Sequence, residues 1–168
     1  PSKWSRTWHA VCSPRTTMLG APRTGQMVGA YRVECAIGSG GMGCVYRAHH
    51  VLEPRTVALK VLREDQLRQD RAVDRMMREA LVLATVGHPG IPQLYECGLL
   101  DDGRPWIAME LVAGTSLALR LCEGPLDPEQ VMAIIGDAAG VLAAAHARGI
   151  IHRDLKPENI LLAPFDAR

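Results

Sequence analysis

The run His152-Arg153-Asp154-Leu155-Lys156-Pro157-Glu158-Asn159 gathers acid, base and amide groups into one short stretch. Asp154 can accept the proton of a substrate hydroxyl, Lys156 can neutralise a phosphoryl group in transit, and Asn159 offers an amide oxygen to a hard metal ion. Phosphoryl transfer depends on positioning and charge neutralisation more than on covalent chemistry, and this set supplies both. Arg153 is suited to tying the loop down or meeting a phosphate on a neighbouring segment, and Pro157 stiffens the turn. A solvated turn between a helix and a β-hairpin is the plain alternative, and it leaves so many matched polar groups unexplained.

A second ammonium lies far upstream. Thr56-Val57-Ala58-Leu59-Lys60-Val61-Leu62 is an almost wholly apolar strand with one lysine inside it. A lysine can snorkel from a strand end, but a buried one needs a carboxylate, because an unpaired buried charge costs several kcal/mol. Helical periodicity from about Asp70 to Val86 provides Glu79. The apolar stripe reads as Val73, Met76, Met77, Ala80, Leu83 and Ala84, with Glu79 beside it. Glu79 alone could be a solvated partner of Arg75; with Lys60 present, an ion pair that holds the lysine against phosphates is the better reading.

Tyr31 to Ile37 alternates weakly and runs into Gly38-Ser39-Gly40-Gly41-Met42-Gly43, after which Cys44-Val45-Tyr46-Arg47-Ala48 resumes an extended pattern. Dinucleotide-binding folds also use Gly-x-Gly-x-x-Gly, but there the last glycine opens a helix. Here a strand follows, which favours a hairpin lid whose backbone N–H groups approach an anion. A plain tight hairpin is the other reading.

The remaining elements place these groups in two lobes. Leu94–Leu100 and Pro105–Glu110 flank the turn signal Asp101-Asp102-Gly103-Arg104, predicting an antiparallel hairpin and a five-stranded N-terminal lobe with one helix. Met109 to Gly114 is a connector whose backbone is free to bond a planar ligand. Asp127-Pro128-Glu129-Gln130 has the N-cap, Pro and capping-box residues of a helix start, and that helix is predicted to run to about Arg148 and stop at Gly149. It is apolar around much of its circumference and is expected to be buried on several sides, by partners downstream or in another molecule.

Composition bounds the class. A chain of 168 residues, 48% hydrophobic and 22% charged, is ordinary globular material. A net charge of +1 gives no electrostatic case for nucleic acid or an anionic membrane. Five widely spaced cysteines with no Cys-x-x-Cys suit a reducing cytosol, so a cytoplasmic location is expected, with no metal-thiolate site. No stretch predicts a membrane span within this segment; an anchor elsewhere in a parent protein stays open. Residues 1–30 mix Ser, Thr, Pro, Arg and Gly without period and read as a disordered leader, in which Met18 or Met27 could be the start. Both ends read as the edges of a fragment.

Together, Gly38 to Ala48, Lys60, Glu79, the connector and Gly149-Ile150-Ile151-His152-Arg153-Asp154 resemble the N-terminal part of a eukaryotic-type (Hanks-type) protein kinase domain, closest to the bacterial serine/threonine kinases. The resemblance runs from about residue 31 to 162. It implies an α+β bilobal fold in residues 31–168, with N-lobe 31–109, hinge 110–114 and the start of a helical C-lobe from 115. It also implies ATP and Mg2+ as cofactors and Ser/Thr-bearing protein substrates, since Lys156 within Asp-Leu-Lys-Pro-Glu-Asn is worded as in serine/threonine kinases. Carried over by position, Ile37, Gly38, Ser39, Gly40, Gly41, Met42, Gly43, Cys44 and Val45 would cover the nucleotide. Ala58 would roof the adenine with Val45, and Leu161 would floor it. Met109 would be the gatekeeper, and Glu110 and Val112 the hinge contacts. Lys60 would be the phosphate lysine and Glu79 its partner, Asp154 would be the base, Lys156 its cationic neighbour and Asn159 a magnesium ligand. Leu83, Leu94 and His152 would belong to the hydrophobic column that aligns the lobes. Dimerisation of the parent kinase stays open.

No Asp-Phe-Gly occurs in the sequence; Phe165-Asp166 has the order reversed and lies too close to Asn159. These 168 residues are therefore expected to transfer phosphate poorly on their own. A pseudokinase or nucleotide-binding regulatory module is the alternative from another class, against which the retention of Lys60, Glu79, Asp154 and Asn159 argues.

Overall fold

The run Val57-Ala58-Leu59 with Val61 and Leu62 makes β4 (Thr56–Leu62) apolar on both faces, and it is buried from Val57 to Leu62, so the sheet it centres is covered on both sides there. The computed structural model describes residues 20–40, 43–67, 70–152 and 155–163. Its elements are β1 (Met27–Val28), β2 (Tyr31–Ser39), β3 (Gly43–His50), β4 (Thr56–Leu62), α1 (Glu64–Leu67), α2 (Asp70–Thr85), β5 (Leu94–Leu99), β6 (Pro105–Glu110), β7 (Thr115–Ser116), α3 (Leu117–Cys122), α4 (Pro128–His146), a 3-10 turn (Pro157–Asn159) and β8 (Leu161–Leu162). The large sheet is antiparallel throughout in the order β1-β2-β3-β4-β6-β5, and β7 pairs with β8 apart from it. An antiparallel sheet with α2 packed on it, followed by a mainly helical segment, gives the α+β bilobal architecture that the resemblance implied.

The sheet has six strands where the sequence predicted five. The added strand, β1, lies in the stretch read as leader: Val28 pairs with Tyr31 across the turn Gly29-Ala30 and is fully buried. Two residues are too few for an alternation signal, and burial decides the matter. The sheet curls until Trp106 of β6 meets the turn, and a Cβ on Gly29 would come within 2.6 Å of its ring. Gly29 also takes φ +57°, which glycine adopts at no steric cost. Residues 1–19 lie outside the described ones.

Alternation sorts the core into two layers. Tyr31, Val33, Cys44, Tyr46, Leu59, Val61 and Trp106 pack on the outer face. Val45, Ala58, Leu62, Ile107 and Met109 face inward, against Ala72, Met76 and Ala80 of α2 and Leu161 of β8. The inward stripe of α2 is rotated from the predicted one: Ala72 and Glu79 are buried, whereas Met77 and Ala84 are exposed. A hydropathy stripe counts glutamate as outward-facing, so it misplaces a helix whose inner face carries a paired carboxylate.

Helix α4 starts as predicted. Asp127 Oδ1 accepts from Gln130 N at 2.8 Å, the Gln130 side chain returns to Asp127 N, and Gly149 leaves the helix end at φ +71°. As expected of a helix whose further cover was placed downstream or in another molecule, it is buried along one side only among the described residues. Val141 and Ala144 pack with Val82, Val86 and Ile91, while Met132 is 69% and Ile135 57% exposed. No helix among the described residues is long and apolar enough to cross a membrane.

Candidate functional site

The inner face of the sheet carries the first charged group. Register places Val45 opposite Lys60 and Lys60 opposite Ile107, so the lysine lies in an apolar row between two hydrophobic neighbours. It is 4% exposed and Glu79 is 6%. Lys60 Nζ donates to both oxygens of Glu79, at 2.7 and 2.6 Å. Removing either partner would strand a charge in the protein interior, the costly case for a buried pair. Glu79 can turn inward because Met76 and Ala80 on either side of it anchor α2 to the same cluster. The expected partnership of Glu79 with Lys60 is formed, in the interior and not at a solvated helix face.

Next to the pair lies an apolar slot. Val45, Ala58, Met109 and Leu161 are buried in one cluster, and Ile37, Leu111 and Val112 pack against it half-buried. Leu161 belongs to β8, so strands from both halves of the chain close on the same space. The backbone N–H of Glu110 is taken up by Gln93 O at 2.8 Å, and Gln93 N donates back to Glu110 Oε2 at 3.1 Å. Among the described residues no hydrogen bond engages the backbone of Val112. That leaves a donor and an acceptor at the slot's edge, where a planar heterocycle can be read.

Over the slot, Gly38 pairs with Val45 and Ser39 with Cys44, and Gly40 N donates to Gly43 O at 2.9 Å to close the turn. Gly41 and Met42 lie outside the described residues. The two described glycines of the turn serve different ends. A Cβ on Gly43 would come within 2.7 Å of Val61 O, so this position needs glycine for packing on β4; a Cβ on Gly40 would meet nothing. Cys44 departs from the expected cover for a nucleotide. Its side chain belongs with Tyr46 on the outer face, because one residue along a strand turns the side chain to the other side of the sheet.

The loop identified first sits below. His152 and Asn159 are buried and Lys156 is half-buried; Arg153 and Asp154 lie outside the described residues. Asn159 N donates to Lys156 O at 2.9 Å and Ile160 N to Pro157 O at 3.2 Å, winding Pro157-Glu158-Asn159 into one tight turn. Leu117 N donates to Ile160 O at 2.9 Å, and Ser116 pairs with Leu161. The loop is thereby stitched to the segment that follows the connector. Leu83 and Leu94 of the expected column are half-buried against the inner cluster.

Two positioning residues escaped the sequence reading. Gly114 is pressed against Leu162 O so closely that no side chain fits, and Gln93 fixes the end of β6. A lone Gly before the Ser116 N-cap was a faint signal for the first; a glutamine in a loop carries none for the second. His88 closes its loop, accepting from Gly90 N at 2.9 Å.

The sequence model described as "Protein kinase domain" matches residues 31–166. Among curated relatives, the serine/threonine-protein kinase pkn3 of Myxococcus xanthus is 43% identical over 152 residues, covering 87% of this chain and 28% of that protein. The serine/threonine-protein kinase PknH of Mycobacterium bovis is 39% identical over 145 residues, covering 86% and 24% respectively. The chain thus spans about a quarter of the length of these relatives. Of solved structures, the Mycobacterium tuberculosis PknI kinase domain superposes with a TM-score of 0.75 at 35% identity, over 85% of this chain and 59% of that one.

Proposed function

The chain belongs to the protein kinase domain family, and from that footing we propose that, within a complete kinase domain, it transfers the γ-phosphoryl group of Mg-ATP to Ser and Thr hydroxyls of protein substrates. The observation that carries the reading is the buried Lys60–Glu79 pair beside an apolar slot. Strand β4 holds the ammonium rigidly, and Glu79 orients it while leaving its positive charge to meet phosphate.

The residues fit ATP and a hard cation. Val45, Ala58, Met109 and Leu161 offer two apolar walls to an adenine, and Val112 offers the edge contacts. Asn159 brings a buried amide oxygen, a donor of the kind Mg2+ accepts. Bound Mg2+ supplies charge neutralisation at the phosphates. Asp154 orients the substrate hydroxyl and takes its proton, and Lys156 balances negative charge that builds up next to it. The wording of the Lys156 loop and the serine/threonine kinases among the relatives support Ser and Thr as acceptors.

These 168 residues contain no Asp-Phe-Gly, which favours nucleotide binding without turnover for the chain taken alone. Trinitrophenyl-ATP fluorescence is the test. Saturable binding, weakened about tenfold by Lys60→Met, is expected. With Mg-ATP and a generic Ser/Thr substrate, turnover should not exceed that of the Lys60→Met chain. Binding indifferent to Lys60→Met would remove the nucleotide reading; robust Lys60-dependent turnover would remove the claim of inactivity.

A further inference from the structure

Strand alternation leaves a second concave site on the face of the sheet away from Lys60. It is a cavity of about 570 Å³ between β3, the end of β4, α1 and the foot of β6. That volume is in the range of small-molecule sites. The cavity is built on buried side chains of the outer core layer: Cys44, Tyr46 and Val61.

Its polar groups define what it can hold. Arg63 and Arg104 both line it, but each already has a carboxylate: Arg63 Nη2 lies 2.6 Å from Asp65 and Arg104 Nη2 lies 2.7 Å from Asp102. Glu64 and Asp65 line the cavity too, and Asp102 holds Arg104, so every cation of the wall is matched by a carboxylate and no net positive charge remains to attract an anion. One hydrogen-bond donor does remain. Arg104 is buried, and its Nη1 reaches Leu62 O only at 3.5 Å, a length at which a better acceptor would win. Burial, and then the neighbouring Cys44, hold the Tyr46 phenol protonated above its ordinary range, so the ring it offers is neutral.

We propose that this cavity binds a neutral, compact aromatic ligand bearing one hydrogen-bond acceptor such as a ketone, with the ring against Tyr46 and Val61 and the acceptor toward Arg104. The site is separate from the slot beside Lys60, although β3 and β4 form a wall of both.

The neutral naphthyl ketone prodan, whose emission shifts to the blue on leaving water, is a suitable probe for the full chain. Two substitutions place bulk in the cavity from different segments: Ala21→Trp, and Asp65→Trp at an exposed position that does not threaten the fold. Met132→Glu on the exposed side of α4 controls for adsorption to an apolar surface. The expected result is saturable, blue-shifted binding that each cavity variant weakens by about tenfold or more and that Met132→Glu leaves unchanged. Absence of saturable binding overturns the proposal. So does affinity that survives in Asp65→Trp, or that disappears in Met132→Glu.

Discussion

Replacing Lys60 by Met keeps most of the side chain's alkyl volume and removes its charge, so Glu79 loses the ammonium that meets both its oxygens in the interior. Both groups are almost fully buried, and both oxygens of Glu79 accept from Nζ at 2.7 and 2.6 Å. Breaking a buried pair by removing one partner costs about 3–5 kcal/mol. Glu79 sits on a helix exposed on its far side at Met77 and Leu81, and a small outward shift of α2 would hydrate the stranded carboxylate. The lower end, about 3 kcal/mol, is therefore expected. For a chain of this size that corresponds to a fall in Tm of about 6–12 °C. Glu79→Leu should cost a similar amount, because it strands the ammonium. The double variant restores an apolar contact, and its loss should fall short of the summed single losses by at least about 2 kcal/mol. Thermal and urea unfolding followed by far-UV circular dichroism measures all four chains. Single variants within about 0.5 kcal/mol of the parent, with additive effects, would refute the buried pair and with it the positioning of Lys60.

Three further outcomes are expected. Gly114→Ala drives a methyl group into the Leu162 carbonyl, so it should cost about 1–3 kcal/mol in urea unfolding, and a neutral result would detach the connector from β8. Ile135→Gln on α4 changes a side chain that is 57% exposed; its unfolding free energy should stay within about 0.5 kcal/mol, and a large loss would mean that face is covered in this chain. For Tyr46, burial and then Cys44 raise the folded pKa above the model-peptide value of 10.0. Stability is then complete below that pH and falls above it, where only the unfolded phenol ionises. Between about pH 9 and about pH 11 the parent should lose more stability than Tyr46→Phe, and equal losses would refute the assignment.

How much of this could be read in advance differs from element to element. The start of α4 was legible because the Asp127 capping box and Pro128 act within one turn, and the hairpin at Asp101 to Arg104 because turn chemistry is local. The inner face of α2 was misjudged, since the carboxylate of Glu79 is buried only by virtue of Lys60 on another element. Strand β1 was missed for a related reason. Two residues have no periodicity, and Val28 is buried only because the sheet curls to bring Trp106 over Gly29.

The order and types of residues alone carried the family resemblance and the bilobal plan and singled out Lys60, Glu79 and Asn159 as candidates, because motif spacing and capping are short-range properties of the chain. Tertiary structure decided which groups meet. Register across β3, β4 and β6 sent Val45 and Lys60 inward and Cys44 outward to a separate cavity. It also brought Leu161, from the second lobe, into the same buried cluster as Ala58 in the first. Such facts arise from packing between segments far apart in sequence, where one residue of strand register reverses a side chain's face.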